Sequence, residues 1–202
     1  GLLLYGGTGY TGIVLMALFF VLGTAATAWH KKEKVAAGLS SIKETRRTAG
    51  QVLANAGVPA LVAALDLFFP EQNQLWKQLM AAAFSSATAD TLSSELGNVY
   101  GSRYFNVLTW IREKKGLDGV VSWEGIIAGL AGSLIIAILF LAMEGAQWSL
   151  FWIIIAAGTF GNFFDSFLGA TLERKGKLHN NAVNFLNTLV AALFATFLFF
   201  IF

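Results

Sequence analysis

The sequence has no cysteine and only two prolines, and charged residues fill just 13% of its 202 positions. Without cysteine there is no disulfide framework, no thiolate metal site and no cysteine nucleophile. So little charge cannot clothe a water-soluble domain of this length. A net charge of +2 offers no electrostatic case for nucleic acid as a partner. What is abundant is apolarity, with 56% hydrophobic residues and a mean hydropathy of +0.63. The 21 glycines suit apolar helices in close approach better than a loop-rich soluble fold. The expectation is an all-α, polytopic transmembrane helical bundle forming one integral-membrane domain over residues 1–202. The chain begins at Gly1 rather than Met, so a preceding segment with further helices is expected.

Crossing a bilayer takes about 17–25 apolar residues. Six such segments lie near 8–29, 51–69, 76–96, 124–143, 148–170 and 183–202, with loops at 30–50, 97–123 and 171–182. The third is the least apolar, interrupted by "SSATADTLSSEL". If the six alternate in direction, 13 of the 14 lysines and arginines fall on one side, and only Lys77 falls on the other. By the positive-inside rule those three basic loops are cytoplasmic. The unusual polar residues cluster at the same ends, so the active face is expected to be the cytoplasmic one.

"YGGTGYTG" (5–12) imitates a dinucleotide-binding glycine fingerprint, which needs a preceding strand and a following soluble helix. Here the glycines open an apolar span, so they read as a small-residue helix start. Three other stretches carry chemistry. Around "ATADTLSSELGNVYG" (87–101), Ser86 just before it and Asp90, Ser93, Ser94 and Gly97 within it share one helical face. Asp90 with Glu95 suits Mg²⁺, which takes one or two carboxylates plus phosphate oxygens; the bland alternative is an interfacial Glu95 and a hydrogen-bonded Asp90. In "REKKGLDGVVSWEGIIAGLAG" (112–132), Lys114 and Lys115 precede Asp118, Gly119, Ser122 and Glu124 at a helix start. Such a helix start is a phosphate seat, while a lysine pair beside a span also serves as a topology marker. Around "GNFFDSFLGATLERKGKLHNNAVNFLNT" (161–188), Gly158 just before it and Asn162, Asp165 and Gly169 within it share one face. Asn180, Asn184 and Asn187 share another, with Arg174 in the basic hairpin between. Membrane asparagines also bond helices together, and His179 has no assigned role. A fourth stripe, Arg47, Gln51 and Asn55, enters the second span from the basic side, where Arg47 either meets a phosphate or anchors the helix.

Taken in order, "RRTAGQVLANAGVPAL", "ATADTLSSELG", "KKGLDGVVSWEGIIAGLAG", "FFDSFLGATLE" and "HNNAVNFLNT" resemble an integral-membrane family that includes plant phytyl-phosphate kinase and vertebrate transmembrane protein 19. The resemblance covers nearly the whole chain. A more distant similarity is to the CTP-dependent membrane enzymes dolichol kinase and phosphatidate cytidylyltransferase. It rests on Asp90-Thr91, Gly97, Gly101, Lys114, Lys115 and Glu124-Gly125, then Asp165-Ser166 and Arg174-Lys175. Asn162 stands where the cytidylyltransferases have an acid, and their Pro-Gly-His-Gly-Gly loop is missing, which weighs toward a kinase.

The resemblance implies a membrane phosphotransferase that uses a cytosolic nucleotide, CTP or another NTP, to convert an isoprenyl monophosphate such as phytyl phosphate to the diphosphate. Asp90, Asp165 and Lys115 are the expected catalytic residues, with Mg²⁺ on Asp90, Asp165 and Glu95. Lys114, Lys115, Asp118, Gly119, Ser122, Glu124, Arg174, Arg47, Gln51, Asn55 and the three asparagines Asn180, Asn184 and Asn187 are expected around the nucleotide. The distant relatives suggest a homodimer. The rival readings are a lipid cytidylyltransferase and a transporter whose Asp90, Asp165 and Asn184 line an ion path.

Overall fold

The structure, a computed structural model, describes residues 1–38, 48–145 and 147–202. Its helices are α1 (Leu2–Ala28), α2 (Lys31–Ala36), α3 (Ala49–Phe68), α4 (Asn73–Tyr100), α5 (Trp123–Glu144), α6 (Trp148–Leu168) and α7 (Asn180–Phe199). All but the short α2 coincide with the six expected spans. α1 starts six residues before its expected boundary and takes in the "YGGTGYTG" stretch, with a break at Gly9 (φ 64°, ψ −144°). Gly7 explains why small residues gather there: a Cβ would lie 1.9 Å from the Ala63 carbonyl oxygen of α3.

Among the described residues, five helices are long and apolar enough to cross a membrane: α1, α3, α5, α7, and α6 with the turn that extends it to Glu173. The sixth, α4, is less apolar but has 28 residues, and at 1.5 Å per residue it reaches about 42 Å. It lies at the centre, packed against α1, α3, α5, α6 and α7. Every residue from Gln78 to Ala89 is buried. A helix carrying serines and threonines around its circumference meets only protein there, so its polarity does not have to face lipid.

Two small-residue seams bring its neighbours close. On α5, Gly125 and Gly129 face the Ser93 and Ala89 carbonyls, where an added Cβ would lie 2.8 and 3.1 Å away. On α6, Gly158 and Gly161 face the Ser85 and Ser86 hydroxyls at 2.0 and 2.2 Å by the same measure. Such residues let membrane helices associate backbone to backbone, where van der Waals packing does the work that hydrophobicity does in water. At the far end Lys77, the isolated basic residue of that face, forms a 2.9 Å ion pair with Glu144, which also accepts a hydrogen bond from Thr11.

The expected loop at 97–123 is built differently. α4 continues to Tyr100, and β1 (Tyr104–Asn106) pairs antiparallel with β2 (Val120–Ser122), Tyr104 opposite Ser122. The β2 strand leads directly into α5, whose start is capped by Ser122 Oγ accepting from the Gly125 amide at 3.1 Å. The loop docks on the end of α6, where the chain widens into a π-helical turn over Gly169–Glu173. Gly119, at φ +71°, leaves no room for a side chain there, since a Cβ would lie 2.3 Å from the Ala170 nitrogen.

Candidate functional site

The end of the bundle that carries the basic loops opens into a cleft of about 930 Å³. Its walls are the last turns of α1, α4 and α6 and the first turns of α3 and α7. The loop from Gly116 to Ser122 closes one side. The α3 start is secured by a reciprocal cap: Thr48 Oγ1 accepts from the Gln51 amide and Gln51 Oε1 from the Thr48 amide. With α7 beginning beside it, two helix N-termini turn their positive ends toward the cleft, an arrangement favourable to anions. Asn181 at the α7 start lies so near α3 that a Cβ on Gly50 would meet its Nδ2 at 2.8 Å.

Within this cleft the side chains of Asp90 (α4) and Asp165 (α6) are in hydrogen-bonding contact. Two carboxylates so close need a shared proton or a cation between them. Asp165 is fixed from behind by Asn187 of α7, whose Nδ2 donates to its Oδ2 at 2.7 Å. Asn187 is fully buried and accepts in turn from Ser86 of α4 through its Oδ1, at 3.2 Å. Three helices are thereby locked around one acid. Asn55 adds a carbonyl oxygen with no hydrogen-bond partner, on a side chain only 4% exposed that lines the cleft.

Asp118, Gly119, Ser122, Gln51, Asn55, Asn180 and Asn184 all line the cleft with the two aspartates. Several expected site residues have other partners. Glu95 is at the cleft wall, yet one oxygen accepts from Thr27 at 2.8 Å and the other pairs with Lys34 at 2.6 Å. Its place as a metal ligand is taken by that ion pair. Lys114 and Lys115 are exposed on the hairpin loop and do not line the cleft. Arg174 grips Glu113 with two nitrogens, at 2.6 and 3.3 Å, and donates through Nε to the Asp118 carbonyl at 2.8 Å. It therefore clamps the hairpin from outside. Glu124 accepts from the amide and hydroxyl of Ser102, tying α5 to the end of α4. Asn187 stands behind Asp165 rather than in the open cleft. Arg47 lies outside the described residues.

Among the described residues, the cations that line the cleft were not singled out in the sequence: Lys31 and Lys34, on the short α2. Lys34 is 4% exposed and donates to the Ala26 and Thr27 carbonyls at the α1 C-terminus, each at 3.0 Å, besides Glu95. No spacing rule distinguishes it from Lys31 and Lys32; only the sharp turn at His30 (φ 49°) swings it inward. Glu95→Gln leaves that ammonium buried without a counter-charge. It is expected to cost about 1–3 kcal/mol, against almost nothing for Glu33→Gln, as read by thermal unfolding in detergent.

Hydrogen bonds from Arg174 hold the Glu113 carboxyl below the usual carboxylate range. A carboxyl held low in the folded state stabilises it above the unfolded pKa and loses that contribution as pH falls through the folded value. The stability lost in Glu113→Gln is therefore expected at neutral pH and should vanish toward strongly acidic pH. Melting temperatures of the two proteins across pH would show the curves converging.

Among the described residues, no group of three or more acids and histidines could enclose a metal by itself. The Asp90–Asp165 pair fits a cation completed by other oxygens, those of phosphate and water, which is the habit of Mg²⁺.

Fold and cleft together define a polytopic membrane protein with an acidic, helix-capped pocket at one end of a six-helix bundle. The chain belongs to the integral membrane protein DUF92 family, whose model matches residues 1–192. It is 34% identical over 202 residues to an uncharacterized membrane protein of Synechocystis sp., covering 96% of this chain and 76% of the relative. A membrane protein of Methanocaldococcus jannaschii is 32% identical over 186 residues, with 92% and 75% covered. Protein VTE6, chloroplastic, of Arabidopsis thaliana is 28% identical over 207 residues, covering 96% of this chain and 60% of that protein. No solved structure matches the chain.

Proposed function

We propose that the protein is a membrane phosphotransferase that passes the terminal phosphoryl group of a nucleoside triphosphate, CTP by resemblance, to an isoprenyl monophosphate. The observation that carries this reading is the Asp90–Asp165 pair, set in a cleft flanked by lysines and helix N-termini. Phosphoryl transfer asks a protein chiefly for positioning and for charge to meet the phosphates. Asp90 and Asp165 are the residues that would hold Mg²⁺, which supplies neutralising charge for the nucleotide's phosphates when bound. Asn187 keeps Asp165 oriented. Lys31, the α3 and α7 N-termini and Asn180 and Asn184 receive phosphate oxygens, and Asn55 offers its unpartnered carbonyl to a donor such as the nucleotide base or ribose.

In the reaction, an oxygen of the lipid phosphate forms a bond to the γ-phosphorus, the bridging β–γ bond breaks, and CDP leaves with the electron pair. An acceptor already ionised as a phosphate needs no general base, and among the described residues the cleft lining contains no histidine. The isoprenoid tail stays in the bilayer, and the positive-inside bias supports a cleft that opens on the cytoplasmic face.

The test uses purified protein in nanodiscs with Mg²⁺, CTP and phytyl or geranylgeranyl monophosphate. The diphosphate and CDP are the expected products. Pyrophosphate release would reassign the chemistry to cytidylyl transfer. No turnover with any nucleoside triphosphate, together with ion flux in liposomes, would overturn the enzyme reading.

A further inference from the structure

The hairpin between α4 and α5 presents a large apolar tip outside any span. Leu108 is 43% exposed, Trp110 63% and Ile111 65%, and beside the tip Trp123, which opens the α5 span, is 55% exposed. The tip is held rigidly. The Asn106 side chain accepts from the Leu108 and Thr109 amides at 2.9 and 3.3 Å, and the Asn106 amide donates to the Ile111 carbonyl at 2.9 Å. Trp110 takes a left-handed backbone (φ 59°), costly for a bulky residue, with its ring stacked 5.0 Å from Phe105. A tight, strained turn that displays indole and aliphatic side chains to water would be an association hazard. Something covers it.

Its position says what. Val107 and Leu108 share an apolar groove with Phe160, Phe163, Phe164 and Phe167 of α6. Those phenylalanines lie along a span, and Phe160, Phe163 and Phe167 face outward from the bundle. The tip thus lies against the outward flank of a candidate span, instead of standing clear of it. Around it Arg103, Arg112, Lys114 and Lys115 are all exposed. Aromatic rings at the headgroup level and cations above an apolar body are how proteins sit in a membrane interface.

We infer that the β1–β2 hairpin is an interfacial anchor, with Leu108, Trp110 and Ile111 sunk among acyl chains beside α6 and the surrounding basic residues facing anionic headgroups. The assignment stands apart from the phosphotransferase reading. It gives Lys114 and Lys115, which do not reach the cleft, a ligand of the same chemical class, the phosphate of a bilayer lipid.

Because the chain has no cysteine, single labels are unambiguous. Leu108→Cys and Ile111→Cys, each carrying a nitroxide, are reconstituted in vesicles of mixed phosphatidylcholine and phosphatidylglycerol. Ile138→Cys on the outer face of α5 serves as the lipid control, and Lys175→Cys as the water control. The expected result is a ratio of oxygen to nickel-chelate collisions at 108 and 111 several-fold above that at 175 and approaching that at 138. A ratio equal to that at 175 overturns the proposal. So does a label shielded from both reagents, the sign of a second protein copy on the patch. Should labelled variants misfold, quenching of the unlabelled protein by brominated lipid replaces them: Trp110→Phe is expected to lose part of that quenching, and an unchanged fraction overturns the proposal.

Discussion

Asp165→Asn is expected to lower phosphoryl transfer by about two to three orders of magnitude, the scale lost when a charged group aimed at a reacting centre is removed. The substitution is nearly isosteric and can still receive the Asn187 amide, which donates at 2.7 Å. The bundle should therefore fold and melt as before while turnover collapses. Asn187→Ala separates charge from orientation. It removes the bridge from Ser86 through Asn187 to Asp165 and is expected to cost about 10–100-fold, as the loss of an orienting partner does at metal sites. Added Mg²⁺ should recover part of the Asn187→Ala activity and none of the Asp165→Asn activity. Equal losses in the two variants, or turnover surviving in Asp165→Asn, would remove the aspartate pair from the proposed mechanism.

Gly161→Val is the substitution with the largest expected effect on stability. A Cβ at 161 would lie 2.2 Å from Ser86 Oγ and 2.9 Å from the Asn187 carbonyl oxygen. The second of these is backbone and cannot swing aside. α6 would have to part from both α4 and α7, with an overpacking cost of about 3 kcal/mol and displacement of Asp165 one turn away. Gly6→Ala is the matched comparison, because its Cβ meets nothing nearer than 3.6 Å, and it should melt like the parent. A Gly161→Val protein as stable as Gly6→Ala would mean that the seam is looser than these distances require.

The helical architecture was legible because hydropathy, basic-residue asymmetry and helical periodicity agree over most of the chain. The agreement fails at α4, where the serines and threonines of "SSATADTLSSEL" lower the apolarity, and there the reason is positional. Burial from Gln78 to Ala89 depends on five neighbours that no local pattern names. The cleft shows the same division. Asp90, Asp165, Asn180 and Asn184 could be grouped because each lies on a recognisable polar face at a span's end. Lys34 could not, since its inward direction comes from the left-handed turn at His30. Lys114, Lys115, Arg174 and Glu124 misled because charge beside a glycine-rich helix start suits both a phosphate seat and a hairpin's own fastening. The hairpin itself was hidden: strands of three residues fall below any alternation a sequence can reveal.

The central helix also sets a condition on how this protein is made. α4 is not among the five helices apolar enough to cross by composition, so it gains little by leaving the insertion machinery for lipid alone. Its partners on the chain's C-terminal side, α5, α6 and α7, are synthesised after it, while α1 and α3 are already in place. The polar helix has therefore to be sheltered by the first two until the later ones close around it. A ribosome-bound chain that exposes nothing beyond Tyr100 is expected to leave α4 accessible to water-soluble reagents, and emergence of α5 to bring its protection. The helix that carries Asp90 enters the membrane only as company for others.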